Sequence, residues 1–447
     1  MKKIKSIVFL SFVFYASVFG QKYSLKHCLD YAKQSNSNIK MAYLDSKVSD
    51  EVVNEQIGRA LPQISISGTI DDKLLIPTQM LPGEIAGRPG TFVPVKFGTQ
   101  YSATAGISLT QKIYDPSLGV ALKAAKLSRE LSEQNVRKTD EQTLYNVSAA
   151  FYRALVVKKQ LDNLKVILSV SQKNLDATQQ KYENGLVKKI EVDKIKVTFN
   201  NTNSQVNQIE LAYKQALNNL KFTIGMPVDS TIALTDDLPD ELSALPEASN
   251  SKDFVESRIE YQMQQSTISL YEADRQNNIA AYYPSLSFYA NYNYAAQRSE
   301  FDFLKGGKDW YTNSSIGVQL SVPVFSGFQR YAKVQESELN LEKAKENLKL
   351  TEQSIMVELS NYYIQYRNAI DNIKNEKENL ELAESVYKNT QAEFSQGVSS
   401  SMDLIQTEST LRETQNNYFS KLLNLYIAKL DLEKSRGNLI NFLNNIK

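Results

Sequence analysis

Two spacings of apolar residues occur along the chain. In the first, apolar side chains recur every three or four residues, as in Leu161, Leu164 and Leu168, then Leu341, Ala344 and Leu348, then Leu423, Ile427 and Leu430, between positions rich in Lys, Glu, Gln and Asn. That spacing lays one apolar stripe on an otherwise wet helix, the pattern of coiled-coil packing. In the second, apolar and polar residues alternate. Ile64, Ile66, Gly68 and Ile70 share a face, as do Tyr101, Ala103, Ala105, Ile107 and Leu109, then Leu286, Phe288, Ala290, Tyr292 and Tyr294, then Ile316, Val318, Leu320, Val322 and Val324. Period two predicts strands with one wet face, at about 63–74, 100–113, 285–297 and 312–325.

Breakers divide the chain in a repeated way. Proline is absent from 117 to 226 and from 324 to 447, and residues 120–184 and 328–396 contain neither glycine nor proline. Uninterrupted tracts of that length predict helices about 100 Å long, followed by shorter ones of about 60 Å. Gly185 and Gly397 stand between the tracts, where an antiparallel helical hairpin turns. In each half the next glycine, Gly225 or Gly437, lies forty residues on. LPQISISGT around Pro62 answers YPSLSFYAN around Pro284, and GISLTQKIYDPS from Gly106 answers GVQLSVPVFSGF from Gly317. These landmarks predict an internal tandem duplication. Residues 21–246 form the first structural repeat and 247–447 the second, each running helix, strand, loop, strand, long helix, glycine turn, shorter helix. A mixed connector around Pro227, Pro239 and Pro246 joins them.

The opening MKKIKSIVFLSFVFYASVFGQK sets Lys2, Lys3 and Lys5 before an apolar run from Ile7 to Ala16, with small residues near a cut after Gly20. That order is a secretory signal peptide over residues 1–20, and the run is short for a bilayer span. No later stretch is long and apolar enough for a transmembrane helix. The alternating segments, however, approach the nine to eleven residues with which a strand crosses a bilayer, and Trp310 and Tyr311 open the fourth. Four strands enclose no lumen, and lipid forbids an open edge, so several chains must pool their strands. Three copies would give twelve. Segments 75–99 and 298–310 would then be exposed loops at the outer face, as their glycine, proline and charge content suits. The strands taken alone also fit a small sheet in a water-soluble domain, and the seams alone fit a structural coiled coil.

Composition removes other classes. Among 447 residues, 51 Lys and Arg stand against 50 Asp and Glu, a formal net charge of +1 that supplies no field to hold nucleic acid. One cysteine, Cys28, and one histidine, His27, exclude a disulfide scaffold and a zinc site built from several such ligands. Cys28 lies within SLKHCLDYA, away from any cleavage site, and reads as an apolar helix residue instead of a lipid anchor. No nucleophile with a base, no paired carboxylates in a cleft and no nucleotide or zinc-hydrolase motif is present, so neither an enzyme nor a cofactor is expected.

Taken with LPQISI and YYPSLSF entering the first and third strands, GVQLSVPVFSGFQRYAKVQESE leaving the fourth, the tips KYENGLVKKIEVDKIKV and EFSQGVSSSMDLIQTESTLRETQNNY, and LNNLKFTIGMPV closing the first half, this plan resembles the outer-membrane efflux proteins, the TolC-like ducts of Gram-negative bacteria. The resemblance implies an α+β membrane protein. It would be a homotrimer whose twelve-stranded outer-membrane β-barrel, four strands per chain, continues into a long periplasmic α-helical barrel. It also implies the role of exit duct for a tripartite pump or type I secretion system, with a periplasmic adaptor, an inner-membrane transporter of RND, ABC or MFS type and outer-membrane lipid as partners. The alternative that the residues leave is an extracytoplasmic coiled-coil adaptor or structural protein without a pore.

At the second tip Ser400 and Asp403 form a candidate capping box, the serine as helix cap; at the first, Glu191 takes the place of Asp403 without the hydroxyl. A residue facing a three-fold axis occurs three times at close range, so Asp403 would ring the periplasmic entrance with negative charge. The resemblance places Gln406 where a second acidic ring would be and Ser399 where a gate-locking arginine would be. It implies adaptor contact at Gly185, Leu186 and Val187 and at Gly397, Val398 and Ser399.

Overall fold

The computed structural model describes residues 21–236 and 251–445; the signal segment 1–20 and most of the connector lie outside the described residues. In chain order the elements are β1 (Gln21–Tyr23), α1 (Leu25–Ser35), α2 (Ser37–Arg59), β2 (Gln63–Asp72), β3 (Thr78–Pro82), β4 (Phe92–Lys96), β5 (Tyr101–Tyr114), α3 (Pro116–Glu183) and α4 (Lys189–Ile224). There follow β6 (Ile232–Leu234), α5 (Ser251–Ser257), α6 (Ile259–Ala280), β7 (Ser285–Arg298), β8 (Tyr311–Ser321), α7 (Gln329–Gln396), α8 (Ser401–Ser435) and α9 (Leu439–Asn444). Both α3 and α7 are 68 residues long, about 100 Å at the α-helical rise.

The chain divides into two compact units. One comprises residues 44–134 and 263–350 and contains the main sheet, antiparallel in the order β2-β5-β7-β8. Its central pairing joins β5 to β7, with Tyr101 opposite Arg298 and a register shift between Lys112 and Tyr114. β2 and β8 are its open edges. Within the segment 75–99, expected as an exposed hairpin loop, β3 pairs with β4 as a second hairpin, in which Thr78 lies opposite Lys96 and Pro82 opposite Phe92.

The other unit holds the chain before Leu44, residues 135–262 and the chain from Thr351 onward. Its largest core gathers Leu25, Cys28 and Leu29 of α1, Leu144, Val147, Phe151 and Leu155 of α3, Leu220 and Ile224 of α4, and Leu422, Tyr426 and Leu430 of α8. Tyr152 stacks on Tyr426 with ring centroids 4.6 Å apart. β1 and β6 pair in parallel beside it, and the N–H of Leu25 donates to the Asp236 carboxylate at 2.8 Å. Cys28 lies in this core with no exposed surface, and burial pushes its thiol up to about 12.

Two boundaries differ from those read in the sequence. Helix α3 starts before Gly119, because the Asp115 carboxylate accepts from the N–H of Ser117 at 3.1 Å and Pro116 brings a helical φ to the first position. β8 ends at Ser321, short of residue 325, because Pro323 has no N–H for the ladder.

Candidate functional site

The sheet has two chemically distinct faces, and the register shows how they arise. Ile64 lies opposite Leu109, Ile66 opposite Ile107 and Ile70 opposite Ala103. Across the next pairs Leu109 meets Ala290, Ile107 meets Tyr292, Ala290 meets Ile316 and Phe288 meets Val318. Period-two sequences in this register put every one of these side chains on one face. The opposite face carries Ser65, Ser108, Asn293 and Asn313. There the Ser65 and Ser108 hydroxyls lie 2.8 Å apart, and the Asn293 amide donates to Asn313 Oδ1 at 3.0 Å. Most of the apolar face is bare: Ile66 is 82% exposed and Ile316 78%, while Ala103 and Ala296 toward one end are covered. Apolar area of that extent left open in one chain marks a surface made to meet lipid or protein.

The helical hairpin tips are built by glycine caps. At the first, Gly185 has φ 72°, its N–H donates to the Tyr182 carbonyl and that of Leu186 to the Lys181 carbonyl. At the second, Gly397 has φ 79°, its N–H donates to Phe394 and that of Val398 to Glu393. This paired pattern closes both helices, and the left-handed backbone it needs favours glycine. Leu186 and Val398 are left exposed, with Val187 and Ser399 half-buried.

The two following helices start differently. Ser400 caps α8: its hydroxyl accepts from the N–H of Asp403 at 3.2 Å, and Asp403 Oδ2 accepts from the Ser400 N–H at 3.1 Å and hydroxyl at 2.6 Å. The Ser400 hydroxyl, with its N–H and the Ser399 hydroxyl, holds the exposed Asp403 carboxyl below its usual range. Lys188 precedes α4 with no side-chain cap. Glu191 instead accepts from the Ser401 hydroxyl across the two tips and pairs with Lys194 at 3.0 Å, and these two partners lower its pKa. Asp403 and Gln406 are both exposed, three residues apart on α8, and Glu191 turns to Ser401 and not to either of them.

Sequence reasoning missed three groups at the tips: Ser401 and Lys181, which join one tip to the other, and Lys194, which pairs with Glu191 within α4. Lys181 Nζ donates to the Phe394 carbonyl at 3.2 Å, capping the end of α7, and stands 5.2 Å from the Phe394 ring centre. Only Lys194 had a local signal, three residues after Glu191; the other two partners are more than two hundred residues away in sequence. Beneath the tips Ile167, Ile195, Tyr387, Leu404 and Leu411 pack the two hairpins together.

Farther along the helices Glu408 is almost fully buried. It accepts from Thr202 at 3.1 Å, and burial raises its pKa. Among the described residues no group of three or more His, Cys, Asp or Glu is placed to hold a metal, and no helix is long and apolar enough to cross a membrane.

Comparison with known proteins gives a consistent result. The family model described as outer membrane efflux protein matches residues 28–226 and 252–438. The chain is 22% identical to the outer membrane protein TolC of Escherichia coli K12, over 98% of this chain and 87% of that protein. It is 21% identical to the TolC of Vibrio cholerae, over 75% of this chain and 77% of that one. In fold it is similar to the Campylobacter jejuni CmeC outer membrane channel, with TM-score 0.74 and 16% identity over 93% of this chain and 86% of that one. With its long helices, its two-faced sheet and a family model that matches most of its length, the chain belongs to the outer membrane efflux protein family, as an outer-membrane efflux or secretion duct reaching into the periplasm and not an enzyme.

Proposed function

We propose that three copies assemble into one duct, each adding its four strands to a twelve-stranded barrel and its long helices to a periplasmic tube. The observation that carries this reading is the sheet itself: one largely bare apolar face, one polar face and two open edges, β2 and β8. Lipid tolerates no unpaired strand edge, so β2 of one copy pairs with β8 of the next until the ring closes. The apolar face then meets lipid and the Ser and Asn face lines water.

The equal lengths of α3 and α7, and the near-equal 36 and 35 residues of α4 and α8, support a tandem duplication with repeats at 21–246 and 247–447. The tips Gly185, Leu186, Val187 and Gly397, Val398, Ser399 take the periplasmic adaptor. Their exposed Leu186 and Val398 offer apolar contacts, and their cap glycines leave open space for a close approach. The adaptor couples the duct to an inner-membrane transporter of RND, ABC or MFS type, which supplies the energy. Asp403, repeated three times at the entrance, forms a negative ring that favours cations. With Gln406 and Ser399 neutral, the tips are held by hydrogen bonds through Glu191 and Ser401.

Single-channel conductance in planar bilayers, with the mass in detergent measured on the same preparation, tests this. A trimer with discrete conductance whose cation selectivity falls in Asp403→Ala is the expected result. A monomer or dimer that stays soluble without detergent and never conducts refutes it and favours a coiled-coil protein without a pore.

A further inference from the structure

The connection between β7 and β8 is a folded piece and not a free crossover. Asp302, with a side chain only 7% exposed, pairs with Arg298 Nε at 3.3 Å and Lys308 Nζ at 3.2 Å. Arg298 Nη2 donates to the Asp309 carbonyl at 2.6 Å, and the N–H of Lys305 donates to the Asp302 carbonyl at 3.0 Å. These ties fold residues 299–310 back on the strands and bury Phe303 against Ala103 and Ala296. Tyr101, Phe301, Phe303 and Trp310 then form a run of ring contacts, with successive centroids 5.7 to 6.2 Å apart.

The register decides which face the loop covers. Ala103 lies opposite Ala296 on one side and Ile70 on the other, so both alanines share the face of Ile66, Ile107 and Tyr292. The loop therefore lies over the apolar face and leaves the Ser and Asn face open. Yet it does not close off its own apolar surface: Leu304 is 95% exposed and Phe301 59%. The opposite ends of the four strands lead into α2, α3, α6 and α7, so the loop stands at the end of the sheet away from the helices.

We propose that residues 299–310 are a membrane-interface anchor, bedded by Phe301, Leu304 and Trp310 in the outer leaflet at the level of the lipid headgroups and clear of the pore. The proposal rests on the barrel reading above, in which the apolar face meets lipid and the helices are periplasmic. Lipid is the occupant because the exposed Phe301 and Leu304 continue the face that lipid covers. Aromatic rings beside ammonium groups, here Lys305 and Lys308, are also the side chains that settle where hydrocarbon meets headgroups. The Asp302 pairs hold the loop in that place before any lipid arrives.

Trp310 is the only tryptophan in the chain, so its fluorescence reports on this loop alone. The protein is reconstituted into vesicles of phospholipid brominated near the top of the acyl chain, and iodide serves as the aqueous quencher. The expected result is loss of the greater part of the Trp310 emission to the brominated lipid and little loss to iodide. Quenching by iodide and not by lipid would place the loop in water or over the pore and overturn the proposal. Protection from both quenchers would mean that a second copy covers the loop, which overturns it equally.

Asp302→Asn, which removes the charge shared by Arg298 and Lys308, is expected to exchange lipid quenching for iodide quenching while conductance persists. Leu304→Glu changes a side chain that is almost wholly exposed, so it leaves folding intact and is expected to weaken lipid quenching by itself. Unchanged quenching in both variants overturns the anchor. Conductance of the same vesicles separates the two readings: a conducting trimer with Trp310 in water sinks the anchor alone, whereas a chain that neither inserts nor conducts sinks the barrel with it.

Discussion

Ser401→Ala tests whether the bond between the two tips holds the periplasmic end of the duct closed. The Ser401 hydroxyl is buried and donates to Glu191, whose carboxylate also faces Lys194 Nζ at 3.0 Å. A hydrogen bond to a charged acceptor contributes about 1.5–3 kcal/mol when shielded, and because the Glu191 side chain is about a third exposed, solvent reduces this to about 1 kcal/mol per chain. Opening of three copies in concert would sum to about 3 kcal/mol, roughly a hundredfold shift in the ratio of open to closed. Single-channel recording reads that ratio directly as the fraction of time spent open. Ser401→Ala is expected to raise it by up to that factor, and Ser401→Thr, which keeps a hydroxyl, to restore it. The pH dependence provides an independent check. Hydrogen bonding lowers the Glu191 pKa, so the bond contributes fully above the ordinary carboxylate range and is lost as pH falls through the lowered value. Acid should therefore open the unaltered duct more than it opens Ser401→Ala. Asp403 also has a lowered pKa, but it is intact in both proteins, so their difference belongs to Glu191. An open fraction in Ser401→Ala within about twofold of the unaltered duct, a shift of less than half a kcal/mol, would refute the reasoning.

In the trimer proposed above, Ile66→Lys puts a charge on the apolar face and should destabilise the membrane-inserted assembly by about 2–4 kcal/mol, whereas Ser67→Lys, on the other face, should insert normally; heat dissociation followed by gel electrophoresis compares them. Glu408→Gln keeps the size of the side chain and its bond to Thr202 while removing a buried charge. Because burial raises the Glu408 pKa, the unaltered protein gains stability as pH falls from neutral, so the variant should melt higher near neutral pH and lose that gain, as thermal unfolding at about pH 7 and about pH 5 will show. Cys28, the only thiol, should resist maleimide in the folded protein at about pH 8 and react completely once the chain is unfolded in denaturant, a result readable by mass spectrometry.

The choice of helix or strand was legible locally for the long helices and for the four strands of the main sheet. Spacing by three and four without proline commits Leu161, Leu164 and Leu168 to one side of a long helix, and alternation commits Ile64, Ile66 and Ile70 to one face of a strand, because both periodicities follow from backbone geometry alone. The glycine turns at 185 and 397 and the Ser400–Asp403 cap were legible for the same reason, since donor and acceptor lie within a few residues of each other. Local signals also misled at two edges, where Gly119 hid the true start of α3 and the apolar Val322 and Val324 hid the end of β8.

Only the tertiary structure decided what depends on distant partners. The pairing of β5 with β7 brings Ala103 against Ala296, and nothing near either alanine announces that Phe303 will lie on them. Glu191 reads in sequence as a first-turn acid, and becomes the tie between two tips because Ser401, 210 residues on, arrives beside it. Glu408 reads as one more polar residue on a wet helix until α4 covers it with Thr202. Local pattern sets which side chains share a face, through torsions that each residue controls. Which faces meet is set by packing across the whole chain, where burial and charge are decided by neighbours that the sequence does not place side by side.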